Sequence, residues 1–152
     1  MTPNFIIAVD PGLTTGCMRW VRGAGIEEGF ELPQLPFLNW TWEALAHHGP
    51  STVVVCEDYT INAATVKKSP APWSLEIIGT LKWQAYKHGA VYVGQDVSDA
   101  KNFVTNDRLR EAGCWTRGHE HARDAGRHLL LYMARIGWYD GSALKKQVTD
   151  GS

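Results

Sequence analysis

A chain of 152 residues is one domain's worth; at that length about 70% of the surface exposed on unfolding is buried, so no disulfide or metal staple is needed. At 44% hydrophobic and 20% charged it is globular and not disordered. Fifteen Lys and Arg against sixteen Asp and Glu give a formal charge of −1, which on its own excludes a histone-like or tail-type nucleic-acid binder, because phosphate affinity is supplied by cations.

Phe5-Ile6-Ile7-Ala8-Val9 is an apolar run of strand length that stops at Asp10-Pro11-Gly12, which is turn chemistry. Residues 15–22 predict a second strand, with Cys17, Arg19 and Val21 on one face and Met18 and Trp20 on the other. After the turn Arg22-Gly23-Ala24-Gly25, residues 26–32 predict a third strand, and three strands joined by short turns form an antiparallel meander. Pro33 and Pro36 end it. Leu38, Trp42 and Leu45 at helical spacing predict a helix over 38–47, stopped by Gly49-Pro50.

Thr52-Val53-Val54-Val55-Cys56 is β-branched and apolar on both faces, the pattern of a central parallel strand, and it stops at Glu57-Asp58. Residues 62–72 read as a loop containing Lys67, Lys68, Pro70 and Pro72. Ser74 is the expected cap of a helix running to about Lys87, before Gly89. Val91-Tyr92-Val93 is a fifth, short strand. Short helices follow over 98–104 and 107–112, and a long one over about 119–136, ended by Gly137. Residues 141–152 are polar and without periodicity, an expected frayed tail after a single domain spanning 1–140. This order predicts an α/β domain: a mixed five-stranded sheet, with a three-strand antiparallel meander plus parallel strands, and helices on both faces.

No apolar run approaches the ~20 residues needed to span a bilayer. Met1-Thr2-Pro3-Asn4 has no basic n-region, so no secretory leader is expected. Cys17, Cys56 and Cys114 are odd in number and include no C-x-x-C. That argues against a disulfide framework or zinc ribbon and for a reducing, cytoplasmic compartment. The near-neutral charge hides an asymmetry. Residues 1–60 carry two bases and seven acids, and residues 61–152 carry thirteen bases and nine acids.

Two strands end in an acid, Asp10 on the first and Glu57 on the fourth. In an α/β sheet, ligands bind beyond the carboxyl ends of parallel strands, so neighbouring strands would bring both carboxylates to one rim. Polar strand ends are common, and each acid alone would carry little. The last helix adds His121, Asp124 and His128, spaced i, i+3 and i+7 on one face, beside an apolar stripe of Ala122, Ala125, Leu129, Tyr132 or Met133, and Ile136. A polar stripe beside a core-facing stripe sits at the packing rim, where a helix can point ligands at strand ends; an ordinary solvated helix edge is the alternative. Asp10, Glu57, His121 and Asp124 are three carboxylates and an imidazole. Such an oxygen-rich set suits Mg²⁺ or Mn²⁺, which would also remove the mutual repulsion of the acids. Two ions about 4 Å apart clamp the attacking and leaving oxygens of a phosphodiester, and Asp10 on the central strand is the natural bridging ligand.

Ile7-Ala8-Val9-Asp10-Pro11-Gly12-Leu13-Thr14-Thr15-Gly16 resembles the first motif of the RuvC-type Holliday junction resolvases. Val53-Val54-Val55-Cys56-Glu57 is similar to their second acidic strand, and His121-Ala122-Arg123-Asp124-Ala125 to their terminal D/H-x-x-D-A helix. The resemblance runs from Asn4 to Gly137. It implies a ribonuclease H-like fold, a homodimer, and two Mg²⁺ or Mn²⁺ ions used to nick opposed strands of four-way DNA junctions. It implies Asp10, Glu57, His121 and Asp124 as metal-binding and catalytic residues; His121 stands where many members have Asp, which lowers the negative charge of the site. The short form and the run Arg123-Asp124-Ala125-Gly126-Arg127-His128 resemble phage-encoded members, whose compartment is the host cytoplasm. Two bound Mg²⁺ would carry the formal charge from −1 to +3, so the composition no longer excludes DNA.

Tyr59, just past the second acid, is the candidate aromatic for stacking on junction bases, with plain packing as the alternative. Lys67, Lys68, Lys101, Arg123 and Arg127 are candidate phosphate contacts, the lysines also readable as ordinary surface residues. His128 reads equally as a phosphate contact or as a support of the site, and Asp58 as a solvated strand end that would at most assist. In the helix starting at Ser74, Leu75, Ile78, Leu81 and Ala85 form one stripe, which Gly79, Trp83 and Tyr86 widen to about half the circumference. A helix on a sheet needs only a ~100° stripe. The surplus points to a two-fold dimer interface at Ile78, Gly79, Trp83 and Tyr86, with burial beneath the Trp73 loop as the alternative. Rival functions are a related nuclease acting on flap or fork DNA or structured RNA, a non-catalytic DNA-binding relative, and an ATPase lobe of the actin and sugar-kinase type, whose phosphate loop Asp10-x-Gly12-x-Thr14-Thr15 resembles. That last fold needs two lobes, and this length supplies one.

Overall fold

The computed structural model describes residues 2–58 and 72–145. A mixed six-stranded sheet forms the middle layer: β1 (Phe5–Asp10), β2 (Thr14–Val21), β3 (Gly25–Ile26), β4 (Phe30–Pro33), β5 (Thr52–Glu57) and β6 (Val91–Gln95). The strand order is β3-β2-β1-β5-β6, with β4 also paired to β2. β1 lies antiparallel to β2 and parallel to β5, and β5 lies parallel to β6.

The predicted third strand is two strands here, which is why the sheet has six and not five. The chain leaves the ladder between β3 and β4 at residues 27–29, where Gly29 passes under the long C-terminal helix. A Cβ there would stand 2.8 Å from Thr116 Oγ1 and 3.0 Å from Ala122 Cβ, so a continuous strand with a side chain at 29 has no room.

Helices cover both faces, as the sequence predicts. On one lie α1 (Gln34–His48) and α2 (Pro72–His88). They seal a core of Phe5, Ile7, Val9, Cys17, Phe37, Leu45, Val54, Cys56, Ile77 and Leu81. On the other lie α3 (Val97–Phe103), α4 (Asn106–Glu111) and α5 (Glu120–Arg135). They seal Ile6, Ala8, Met18, Trp20, Val53, Val55, Leu109, Leu129, Leu130 and Met133. The alternation of β1 and β2 thus divides their side chains between two cores, and burial on both faces accounts for the unbroken apolar runs of β1 and β5.

Several boundaries differ for physical reasons. α1 begins at Gln34, earlier than the expected 38, because Pro36 falls in its first turn, where backbone N–H groups have no helical partner to lose. α2 begins at Pro72, so Ser74 is inside the helix and does not cap it. Its hydroxyl donates instead to the Pro11 carbonyl at 3.0 Å, tying α2 to the turn after β1. Ile136, placed in the apolar stripe by its spacing, is the residue after α5 and 36% exposed, while Leu130 and Leu131 are buried. The chain beyond 140 stays against the fold through 145. Asp140 Oδ1 accepts from the N–H groups of Ser142 and Ala143, both at 2.8 Å, and Leu144 packs on the second core. All three cysteines are buried and free. Among the described residues no helix is long and apolar enough to cross a membrane.

Candidate active site

Register brings the two strand-end acids together. In the parallel pair, Val9 lies opposite Cys56, so Asp10 and Glu57 leave adjacent strands side by side at the same carboxyl-end rim. The expectation that β1 and β5 are neighbours is met. Asp10 is buried, and Glu57 keeps a side-chain exposure of 20%.

α5 crosses this rim at its first turn. The approach depends on Gly16, paired with Asp10 across the β1–β2 ladder. A Cβ at 16 would lie 2.1 Å from the His121 carbonyl carbon and 2.5 Å from Ala122 N, so only glycine allows the helix to sit this low. Glu31, on β4, secures the same turn. Its Oε1 accepts from the backbone N–H of His121 at 2.9 Å and of Ala122 at 3.4 Å, while Oε2 faces His119 Nδ1 at 3.4 Å. A carboxylate at a helix N-terminus satisfies orphan donors and complements the dipole. With α5 held there, His121 Nδ1 reaches Asp10 Oδ2 at 3.0 Å. Asp124, one turn on, lies near enough for its charge to act on Asp10, and its Oδ1 also faces Arg127 Nε at 3.3 Å.

The electrostatics are those of crowded acids. Burial first, then the Glu57 charge, pushes Asp10 up to about 8, far above an ordinary aspartate. Burial alone would raise Glu57 as well, but the neighbouring His128 imidazole and a hydrogen bond from Asp10 hold it below the usual glutamate range. His121 would be pulled down by burial, but its hydrogen bond to Asp10 and the charges of Asp10, Glu31 and Asp124 raise it.

This donor set fits a hard dication chemically, because carboxylate oxygens predominate and a cation would relieve their mutual repulsion. As placed, no group of three or more His, Cys, Asp or Glu among the described residues is arranged to hold one metal ion. Convergence on an ion requires side-chain rotation at the rim.

The candidate DNA contacts fare differently. Lys101 is exposed on α3, with its charge acting on Glu57. Arg123 is half-buried: Nη1 donates to the Thr116 carbonyl at 3.1 Å, and the guanidinium stacks 4.6 Å from the Trp115 ring. Arg127 binds the Val104 carbonyl, Asn106 Oδ1 and Asp124. Those contacts make it a brace between α5 and the α3–α4 connection. His128 is 1% exposed, which removes it from the DNA-contact set. Tyr59, Lys67 and Lys68 lie outside the described residues. Asp58 donates its backbone N–H to the Gln95 carbonyl at 2.8 Å.

Of the expected dimer residues, Ile78 is buried in this chain's own core and is not free for a partner. Gly79, Trp83 and Tyr86 do face outward, Trp83 at 53% and Tyr86 at 84% exposure, and Trp83 stacks on Trp42 with centroids 5.3 Å apart. Sequence reasoning missed Glu31 and Gln95. Both sit at or near strand ends, where a polar residue is unremarkable until its partner across the fold is known.

The mixed sheet with helices on both faces is a fold found among solved structures. No family model matches the sequence, and no curated protein matches it. Solved structures do. Thermus thermophilus RuvC matches with a TM-score of 0.63 at 14% identity, covering 88% of this chain and 96% of that one. The same protein in complex with a Holliday junction substrate matches at 0.59 and 13% identity over the same shares. The fowlpox virus Holliday junction resolvase matches at 0.55 and 14% identity, covering 87% of this chain and 99% of that one.

Proposed function

We propose that this chain is a structure-selective DNA endonuclease that resolves Holliday junctions and related branched DNA by hydrolysis. The observation that carries the reading is the placement of Asp10 and Glu57 on adjacent parallel strand ends, with His121 and Asp124 above them, in a fold shared with RuvC and a poxvirus resolvase. Asp10, Glu57, Asp124 and His121 would hold two Mg²⁺ ions, for which Mn²⁺ substitutes. Bound there, the ions supply a nucleophilic water at neutral pH and charge neutralisation at the scissile phosphate. Asp10 would be the ligand common to the set, with Glu57 and Asp124 as its partners, and His121 would orient Asp10 through its 3.0 Å contact. In-line attack with departure of the 3′-oxygen leaves 5′-phosphate ends. Lys101 steers the DNA backbone, with Tyr59, Lys67 and Lys68 as the further contacts from the segment after β5.

The working unit is a homodimer, supported by the outward aromatic face of Gly79, Trp83 and Tyr86 on α2. Its compartment is the cytoplasm, that of the host if the chain is phage-encoded; three free, buried cysteines suit a reducing environment.

The test is cleavage of a mobile four-way junction in Mg²⁺ and in Mn²⁺, products mapped to the nucleotide, beside a flap, a Y-fork and structured RNA. Paired nicks on opposed junction strands, with 5′-phosphate ends, are expected. Preference for flap or fork, or for RNA, reassigns the substrate, and no cleavage with any divalent ion leaves a DNA-binding relative. Trp83→Glu should convert the dimer to monomer by sedimentation and uncouple the two nicks; a wild-type monomer rejects the dimer.

A further inference from the structure

Behind Glu57 lies a buried polar pair that no step above uses. Gln95 is the last residue of β6 and the register partner of Glu57 across the β5–β6 ladder. It is 2% exposed, and His128, on α5, is 1% exposed. Two such groups in an otherwise apolar layer are costly unless mutually satisfied.

Their hydrogen bonds fix each other. In the orientation of the Gln95 amide that satisfies both its ends, Nε2 donates to the His128 carbonyl at 3.1 Å and to His128 Nδ1 at 3.0 Å. Oε1 then accepts from the Tyr132 N–H at 3.3 Å. A donor at Nδ1 makes that nitrogen the acceptor and leaves the neutral ring's proton on Nε2. Nε2 is the atom that faces Glu57 Oε2, at 3.7 Å, slightly beyond a hydrogen bond and within reach of one on a small side-chain shift. Every link runs from rigid structure: a strand end, a helix interior, a strand end.

We infer that Gln95 and His128 are positioning residues for Glu57: Gln95 locks His128 as the Nε2–H tautomer, and His128 presents that N–H to one Glu57 oxygen so that the other is turned to the site. This rests on the nuclease reading for its consequence, though not for its geometry. A supporting donor behind a ligating carboxylate fixes its orientation, and such outer partners typically change metal affinity about 10–100-fold when removed. Of the two roles that the sequence leaves open for His128, the buried position favours support of the site over phosphate contact.

The first measurement uses the unmodified chain: long-range ¹H–¹⁵N correlation of the imidazole rings at neutral pH in EDTA. The expected spectrum shows His128 as the Nε2–H tautomer. An Nδ1–H ring, or a mixture, overturns the proposal without any variant. The second uses Gln95→Leu, which nearly keeps the volume and removes the donor to Nδ1. The expected result is loss of the single Nε2–H signal and a roughly tenfold rise in the Mg²⁺ concentration for half-maximal cleavage, with KM for the junction unchanged. Gln95→Asn, which restores the amide donor, should recover part of the shift. A ring that keeps its tautomer in Gln95→Leu overturns the lock, and an unlocked ring with unchanged Mg²⁺ dependence overturns the positioning role. Wild-type protein that shows the Nε2–H tautomer and cuts nothing rejects the nuclease reading and leaves the locked pair standing, so the two failures are separable.

Discussion

Each strand-end acid meets an imidazole, and the two meetings differ in their surroundings. Asp10 faces His121 at 3.0 Å, with the His121 side chain 48% exposed. Glu57 faces His128 at 3.7 Å, with the His128 side chain 2% exposed. His121 is held mainly through its backbone, by Glu31, and its ring is open to solvent on one side. His128 is gripped at its ring by Gln95 inside the second core. One imidazole is therefore an exchangeable contact and the other a structural part. That contrast suits the resemblance, in which the position of His121 is shared between His and Asp.

The largest effect should come from the acid between the two halves. Asp10→Asn removes the carboxylate proposed to be shared by the two ions. Loss of several kcal/mol of metal-borne charge stabilisation corresponds to ~10³-fold or more in rate. Junction cleavage in Mg²⁺ should become undetectable in a standard assay while junction binding in Ca²⁺ persists. Wild-type cleavage by the variant would remove Asp10 from the reaction.

Gly16→Ala tests the Asp10–His121 half alone. The added methyl meets the His121 backbone at 2.1 Å, and backbone cannot swing aside as a side-chain tip can. Overpacking of this kind costs roughly 1–3 kcal/mol and occasionally more. At roughly 2–4 °C per kcal/mol for a chain of this size, Tm should fall by about 5 °C or more. Cleavage should fall with it, because α5 lifts off the rim. An unchanged Tm would mean that the helix does not sit as low as described.

Asp10→Asn also has a stability effect, of opposite sign. The folded pKa of Asp10, about 8, is above its ordinary 3.8, so in metal-free protein its stabilising protonated state is fully present below that ordinary value. The contribution is lost as pH rises from about 4 through about 8. Glu57, held low, has the reverse dependence, but only in acid. Metal-free wild type should therefore melt several degrees lower at pH 8.5 than at pH 6, while Asp10→Asn shows a flatter profile and a higher Tm at pH 8.5. Equal profiles in EDTA would contradict the crowding of the acids.

Much of this was legible beforehand. The two acids could be read because both end apolar runs of strand length, and His121 and Asp124 because helical spacing puts them on one face. The break between β3 and β4 could not, since a single polar residue, Glu28, interrupts the apolar face, and the close approach of Thr116 and Ala122 to Gly29 comes from far along the chain. Glu31 and His128 were obscured in the same way. A glutamate on a short strand reads as a solvent-facing residue until α5 docks beside it, and a histidine next to Arg127 reads equally as a phosphate contact or a support of the site until burial is known. Ile78 satisfied the dimer stripe and the core stripe alike, and packing chose the core.

Glu31→Ala is the milder test of the exposed half. It removes the side-chain acceptor for two N–H groups at the start of α5, a cap worth about 1 kcal/mol. Tm should fall by roughly 3 °C, and cleavage by more than that loss of folded protein explains, because His121 and Asp124 share the loosened turn.

The smallest effect decides the comparison itself. His121→Asn keeps a hydrogen-bonding group near Asp10 and alters a ring that is about half in water, so its cost should stay within about 0.5 kcal/mol. His128→Asn, the same substitution seven residues along one helix, leaves a void in the core and withdraws a partner from buried Gln95. An unsatisfied buried group costs ~1–3 kcal/mol before the cavity is added. Thermal melts of the two variants in EDTA, with no ion to bridge the acids, isolate this difference. A Tm loss at His121 equal to that at His128 would mean that both imidazoles are structural, and the division between an exchangeable half and a fixed half would have to be given up.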